Sequence, residues 1–121
     1  MKYQLFVGFV VSALVMTSAI AGDIRKGKKV FRKCKACHYV EKVKNKTGPH
    51  LVNIVGRTAG SVDGFRYSKE MASSGLVWDK KTLTGFLSMP QKYIVGTKMA
   101  YAGLRKKSDI ANVIAYLKSS N

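Results

Sequence analysis

The stretch Cys34-Lys35-Ala36-Cys37-His38 decides how this chain is read. Two thiols three positions apart are separated by one helical turn, so both can face the same edge of a flat ring. Each can form a thioether with one vinyl group of a haem. The histidine that follows places its imidazole under the ring centre, where it can ligate iron. Three other chemistries use cysteine pairs. A thiol–disulfide site wants a strand–helix–strand setting, and no alternating strand pattern of useful length runs through this sequence. Tetrahedral zinc needs a second ligand pair, and only His50 remains. A plain Cys34–Cys37 disulfide is open to an exported chain. Both the spacing and the residue after it match what covalent haem requires, and haem is the reading taken.

Working outward, three windows have helical period. Asp23 can cap a helix in which Ile24, Gly27, Val30, Phe31 and Cys34 share a face. Asp79 can cap a second, with Leu83, Phe86 and Leu87 inward and Pro90 ending it. Ser108 can cap a third, in which Ile110, Val113, Ile114 and Leu117 follow the i, i+3, i+4, i+7 rule. Short runs around 68–72 and after Pro90 add a turn or two. The fold class expected is all-α: three main helices, short helical turns and long loops. Those loops, 39–66 and 92–107, contain several glycines and little periodicity. Loops of this length in so small a domain are expected where they wrap a ligand. A large apolar cofactor supplies the core that three helices lack.

With 121 residues there is room for one small domain. Residues 1–21 pose a separate problem. Lys2 gives a positive start, Leu5 to Met16 form an apolar run, and Ala19-Ile20-Ala21 fits the small-x-small pattern read by signal peptidase. The run is short for a bilayer span, which wants about 20 apolar residues. The expectation is a cleaved signal peptide at 1–21 and a domain at 22–121, exported to the periplasm. An uncleaved membrane anchor is the competing reading. The net charge of +16 calls for an anionic partner: an acidic protein, a membrane face or nucleic acid. Export argues against nucleic acid, and so does the dispersal of the cations.

The sequence resembles a monohaem class I cytochrome c over essentially all of residues 22–121. The resemblance is carried by Gly27-Lys28-Lys29-Val30-Phe31, the Cys34-to-His38 motif, Lys46-Thr47-Gly48-Pro49, Gly56-Arg57, Gly64-Phe65-Arg66-Tyr67, Trp78, Pro90-Gln91-Lys92-Tyr93-Ile94, Gly96-Thr97-Lys98-Met99 and Ile114-Ala115-Tyr116-Leu117-Lys118. It implies one covalently attached haem c, with His38 and Met99 as axial iron ligands. The residues alone leave Met71, Met89 and Met99 open as the sixth ligand. The resemblance selects Met99 and leaves the other two as core. It also implies that the Pro49 carbonyl accepts a bond from the His38 ring, and that Arg57, Tyr67 and Trp78 hold the propionates. Gly27, Phe31, Val113 and Tyr116 then form the crossing of the first and last helices.

With both axial positions filled there is no open site for catalysis. The implied function is one-electron transfer between redox complexes by a monomer, not an enzyme. A peroxidase-like haem enzyme is the alternative if the sixth ligand is displaceable. Lys33, Lys35, Lys92 and Lys98 are expected to ring the haem edge and dock on acidic patches of redox proteins, with membrane-surface contact a further possibility. Four residues depart from the mitochondrial pattern. Phe86 stands where Tyr is frequent, Val95 replaces Pro, Met71 replaces Asn, and Gln91 interrupts the lysine ring. The first three point to a drier distal side and a looser methionine loop.

Overall fold

The computed structural model describes residues 2–15 and 22–121, and the expected cleavage pattern at 19–21 lies outside them. Five helices follow in chain order: α1 (Ile24–Phe31), α2 (Lys69–Ala72), α3 (Lys80–Ser88), α4 (Pro90–Tyr93) and α5 (Lys107–Ser119). Among the described residues the only β pairing is an isolated bridge between Thr58 and Val77. The fold is all-α, as expected.

The two aspartate caps form. The Asp23 carboxylate accepts from the Lys26 N–H at 3.0 Å, and that bond holds its carboxyl below the usual carboxylate range. Asp79 makes a reciprocal capping box. It accepts from the Thr82 N–H at 2.8 Å, while Thr82 Oγ1 accepts from the Asp79 N–H at 2.9 Å. Pro90 both stops α3 and starts α4, where its missing N–H costs nothing.

Ser108, by contrast, is not a cap. α5 begins at Lys107 with Lys106 at the N-cap position and no side-chain capping bond. The buried row Ile110, Val113, Ile114 and Leu117 packs as expected, and that packing carries the helix start beyond the serine. On α1 the inward face is narrower than the periodicity implied: Gly27 and Phe31 are buried, but Ile24 is half exposed.

The crossing of α1 and α5 is the main helix–helix contact. A Cβ on Gly27 would lie well inside contact distance of the Asn112 carbonyl and close to the Tyr116 Cβ, so glycine sets how near the helices approach. The Phe31 and Tyr116 rings meet beside it at 5.4 Å. The Asp23 N–H donates to Asn112 Oδ1 at 2.8 Å and ties the start of α1 to α5. Gly27→Ala is therefore expected to cost about 2–3 kcal/mol through overpacking against backbone, read as a lowered urea midpoint. An unchanged midpoint would show that the helices separate freely.

The loop after α1 is held by turn bonds within itself and by a few longer ties. Leu51 N–H donates to the Tyr39 carbonyl at 2.7 Å, Ala59 N–H to Leu76 at 2.7 Å, and Trp78 N–H to Arg57 at 2.9 Å. These bonds leave a hollow between the loop, α3 and α5 rather than a filled centre.

Candidate functional site

That hollow is a cavity of about 390 Å³ that reaches the surface. Its walls are largely apolar, formed by Phe31, Leu51, Ile54, Met71, Trp78, Leu83, Phe86, Leu104, Val113 and Leu117 among others. Most of these belong to the buried core, so the core is built around a space.

The turn after α1 brings the motif to this wall. Cys34 N–H donates to Phe31 O at 2.8 Å, and both Cys37 N–H (3.1 Å) and His38 N–H (3.0 Å) return to Cys34 O. One helical turn thereby sets the two cysteines on the same side. No disulfide joins them, and both are half-buried and line the cavity. Before a haem is attached, burial, with a smaller push from Cys37, raises the Cys34 thiol to about 11.

His38 is oriented by the loop that follows it. Its Nδ1 lies 2.6 Å from the Pro49 carbonyl. A carbonyl can only accept, so Nδ1 carries the proton and Nε2 presents a lone pair. Burial lowers the His38 pKa, with further depression from the Arg57 and Lys46 charges, while the bond to Pro49 opposes it. The neutral form that a metal ligand requires is favoured. A Cβ on Gly48 would collide with the ring, so the Gly48-Pro49 pair both admits and aims the imidazole.

Arg57 spends two of its nitrogens on its own loop. Nη1 donates to Val52 O at 3.0 Å and Nη2 to His50 O at 2.9 Å. Its Nε is buried and has no partner, and the residue lines the cavity. An orphaned buried donor of this kind calls for an acceptor. The Tyr67 hydroxyl accepts from Val62 N–H at 3.1 Å and keeps its own proton to donate. Trp78 is buried against Phe86, with ring centroids at 5.0 Å.

All the expected site residues, Cys34, Cys37, His38, Pro49, Arg57, Tyr67, Trp78 and Met99, line this one cavity. Met71 lines it too and is buried, in keeping with its reading as core. Met89 does not. It is 47% exposed at the break between α3 and α4, so its reading as core is corrected: the backbone there turns its side chain outward. The lysines divide. Lys33 and Lys98 line the cavity, Lys92 is exposed on α4 and does not, and Lys35 belongs to a separate groove with Arg25, Lys28, Lys29 and Arg32. Sequence reading passed over Ser68 and Thr97, which are buried polar residues in the cavity wall. Ser68 could have been found from its place before Lys69-Glu70-Met71, since its hydroxyl caps α2 by accepting from Met71 N–H at 3.1 Å.

The residues fit a covalent haem on chemical grounds. The cavity is apolar, two thiols stand at its edge, an imidazole nitrogen is free, and one buried cationic donor lacks an acceptor. A bare metal ion fits less well: among the described residues no group of three or more His, Cys, Asp or Glu could hold one. Fold and site together define a c-type haem protein.

Comparison with known proteins narrows this further. The family model described as Cytochrome c matches residues 24–121. Cytochrome c 2.1 of Caenorhabditis elegans is 47% identical over 104 residues, covering 85% of this chain and 94% of that protein. Cytochrome c2 of Afifella marina is 52% identical over 103 residues, covering 81% and 83%. The solved structure of cytochrome cH from Methylobacterium extorquens superposes with a TM-score of 0.77 at 42% identity, over 81% of this chain and 99% of that one. The chain belongs to the cytochrome c family, and its cofactor is a covalently attached haem c.

Proposed function

We propose that this protein is an exported one-electron shuttle with His38 and Met99 as axial ligands. The observation that carries the reading is the His38 geometry: Nδ1 is committed to Pro49 O, so Nε2 is free at the wall of a cavity that Met99 also lines. When bound, haem c supplies a reversible Fe(III)/Fe(II) couple. The chain's residues set the conditions for it. His38 offers a neutral nitrogen and Met99 a thioether, which favours the ferrous state. The apolar walls disfavour the extra positive charge of the ferric state, again raising the potential. Arg57 Nε, Tyr67 and Trp78 are the donors available to the propionates.

Export is supported by the leader. Leu5, Phe6, Phe9, Val10 and Leu14 are 86–94% exposed and pack on nothing in the domain. A run of bare apolar residues has its proper place in a translocation channel or a bilayer. No helix among the described residues is long and apolar enough to cross a membrane. The Ala19-Ile20-Ala21 pattern supports cleavage of 1–21 and a periplasmic destination.

The partners are redox proteins with acidic faces, and Lys33 and Lys98 at the cavity wall are the docking cations proposed for them. Electron-transfer rates with such a partner are expected to fall by about tenfold or more as ionic strength rises from ~10 to ~200 mM. Lys33→Glu combined with Lys98→Glu should reproduce much of that loss at low salt. A rate flat across the range would exclude electrostatic steering.

A further inference from the structure

The segment that carries Met99 has little structure of its own. Residues 99–106 form neither helix nor strand. Upstream, Gly96 has a φ of 85° and turns the chain, and the buried Thr97 closes that turn by donating its N–H to Ile94 O at 3.1 Å. Met99 N–H reaches Thr97 Oγ1 only at 3.5 Å, the outer limit of a hydrogen bond. One side chain holds the other end of the same residue: the Gln91 amide Nε2 donates to the Met99 backbone carbonyl.

Gln91 is launched from a firm base. It is the second residue of α4, between the fully buried Pro90 and Tyr93, whose ring lies against Gly85 and, at 6.5 Å between centroids, against Phe86. Ile94, directly after α4, is buried. The short helix is thus fixed to α3, and a neutral amide extends from it across the surface to the methionine. A neutral donor keeps this bond at any pH at which the protein is folded. The neighbouring clip from Lys98 Nζ to Arg66 O, at 3.1 Å, is exposed and depends on a charged group.

We propose that Gln91 is a positioning residue that latches Met99 closed, and that its bond to the Met99 carbonyl sets how often the methionine leaves the iron. This rests on the reading of Met99 as the sixth ligand. An external ligand can take that position only in the open state, so its apparent affinity scales with the open fraction. Removing a hydrogen bond that exists only in the closed state raises that fraction.

The test uses the purified haem-loaded protein and imidazole as probe, titrated against the ferric form, beside a denaturant midpoint for each variant. Gln91→Glu replaces the donor with an acceptor and opposes a carboxylate to the carbonyl. It is expected to tighten imidazole binding about tenfold, and Gln91→Ala about fivefold, with the denaturant midpoint almost unmoved. Affinities within twofold of the parent in both variants, while the weak red-edge sulfur-to-iron band persists, overturn the latch. A midpoint that falls in proportion to the gain in affinity also overturns it, because the bond then supports the whole fold rather than the loop. A parent protein that lacks the sulfur-to-iron band overturns Met99 ligation itself.

Discussion

Replacing both Cys34 and Cys37 with serine is expected to leave a colourless, largely unfolded chain. The reason is the cavity. About 390 Å³ lies at the centre of the core, and an unfilled apolar void costs roughly 24 cal/mol per Å³. That amounts to about 9 kcal/mol as an upper figure, since water enters at the open side. It is of the same order as the roughly 5–15 kcal/mol that stabilises an ordinary domain. Helices as short as α1 do not persist in water without packing. The variant's far-ultraviolet circular dichroism should lose most of its helical signal, and noncovalent haem should wash away on gel filtration. A serine variant that stayed helical without haem would show that the protein fills its own interior.

The second large effect is expected at Met99. Met99→Ala removes the thioether and leaves the iron position opposite His38 open to water. The ferric protein should lose its sulfur-to-iron band, and the ferrous protein should bind carbon monoxide at neutral pH. The reduction potential should drop by on the order of 0.2 V, a quarter of the ~0.8 V range that axial ligation spans. Met71→Leu is the control, because Met71 also lines the cavity but is read as packing. It should keep the band. If Met71→Leu loses the band and Met99→Ala retains it, the two roles are exchanged.

How much of this was legible in the sequence depended on how local the physics was. Asp23 and Asp79 are caps because an aspartate before an apolar period satisfies N–H groups within three residues, a rule that needs no tertiary structure. Ser108 obeyed the same local pattern and failed, since the α5 start is set by what its apolar row packs against. Ile24 had the right period and is still half exposed, while Gly27 and Phe31 of the same predicted face are buried. Met89 looked like core from its place at a helix end, but the backbone break before Pro90 turns it to solvent.

The site divides along the same line. Cys34, Cys37 and His38 are adjacent in sequence, so a helical turn brings them together and the residues alone reveal the chemistry. Met99 is more than sixty residues from His38, in a segment without period, and residue type could not separate it from Met71. Family resemblance selected it. Arg57 could be matched by resemblance, but its orphaned Nε is a property of the folded loop only. The Gln91 bond to Met99 O likewise joins two residues whose spacing carries no signal.

The central claim is that a haem stitched to Cys34 and Cys37 is the interior of this domain. The direct measurement is the intact mass of the exported protein after acid–acetone extraction, taken with its absorption spectrum. A polypeptide one haem heavier than the chain from residue 22 onward, still coloured after extraction, is the predicted result. Colour lost to the acetone, with a bare polypeptide mass carrying two free or mutually bonded sulfurs, would contradict it.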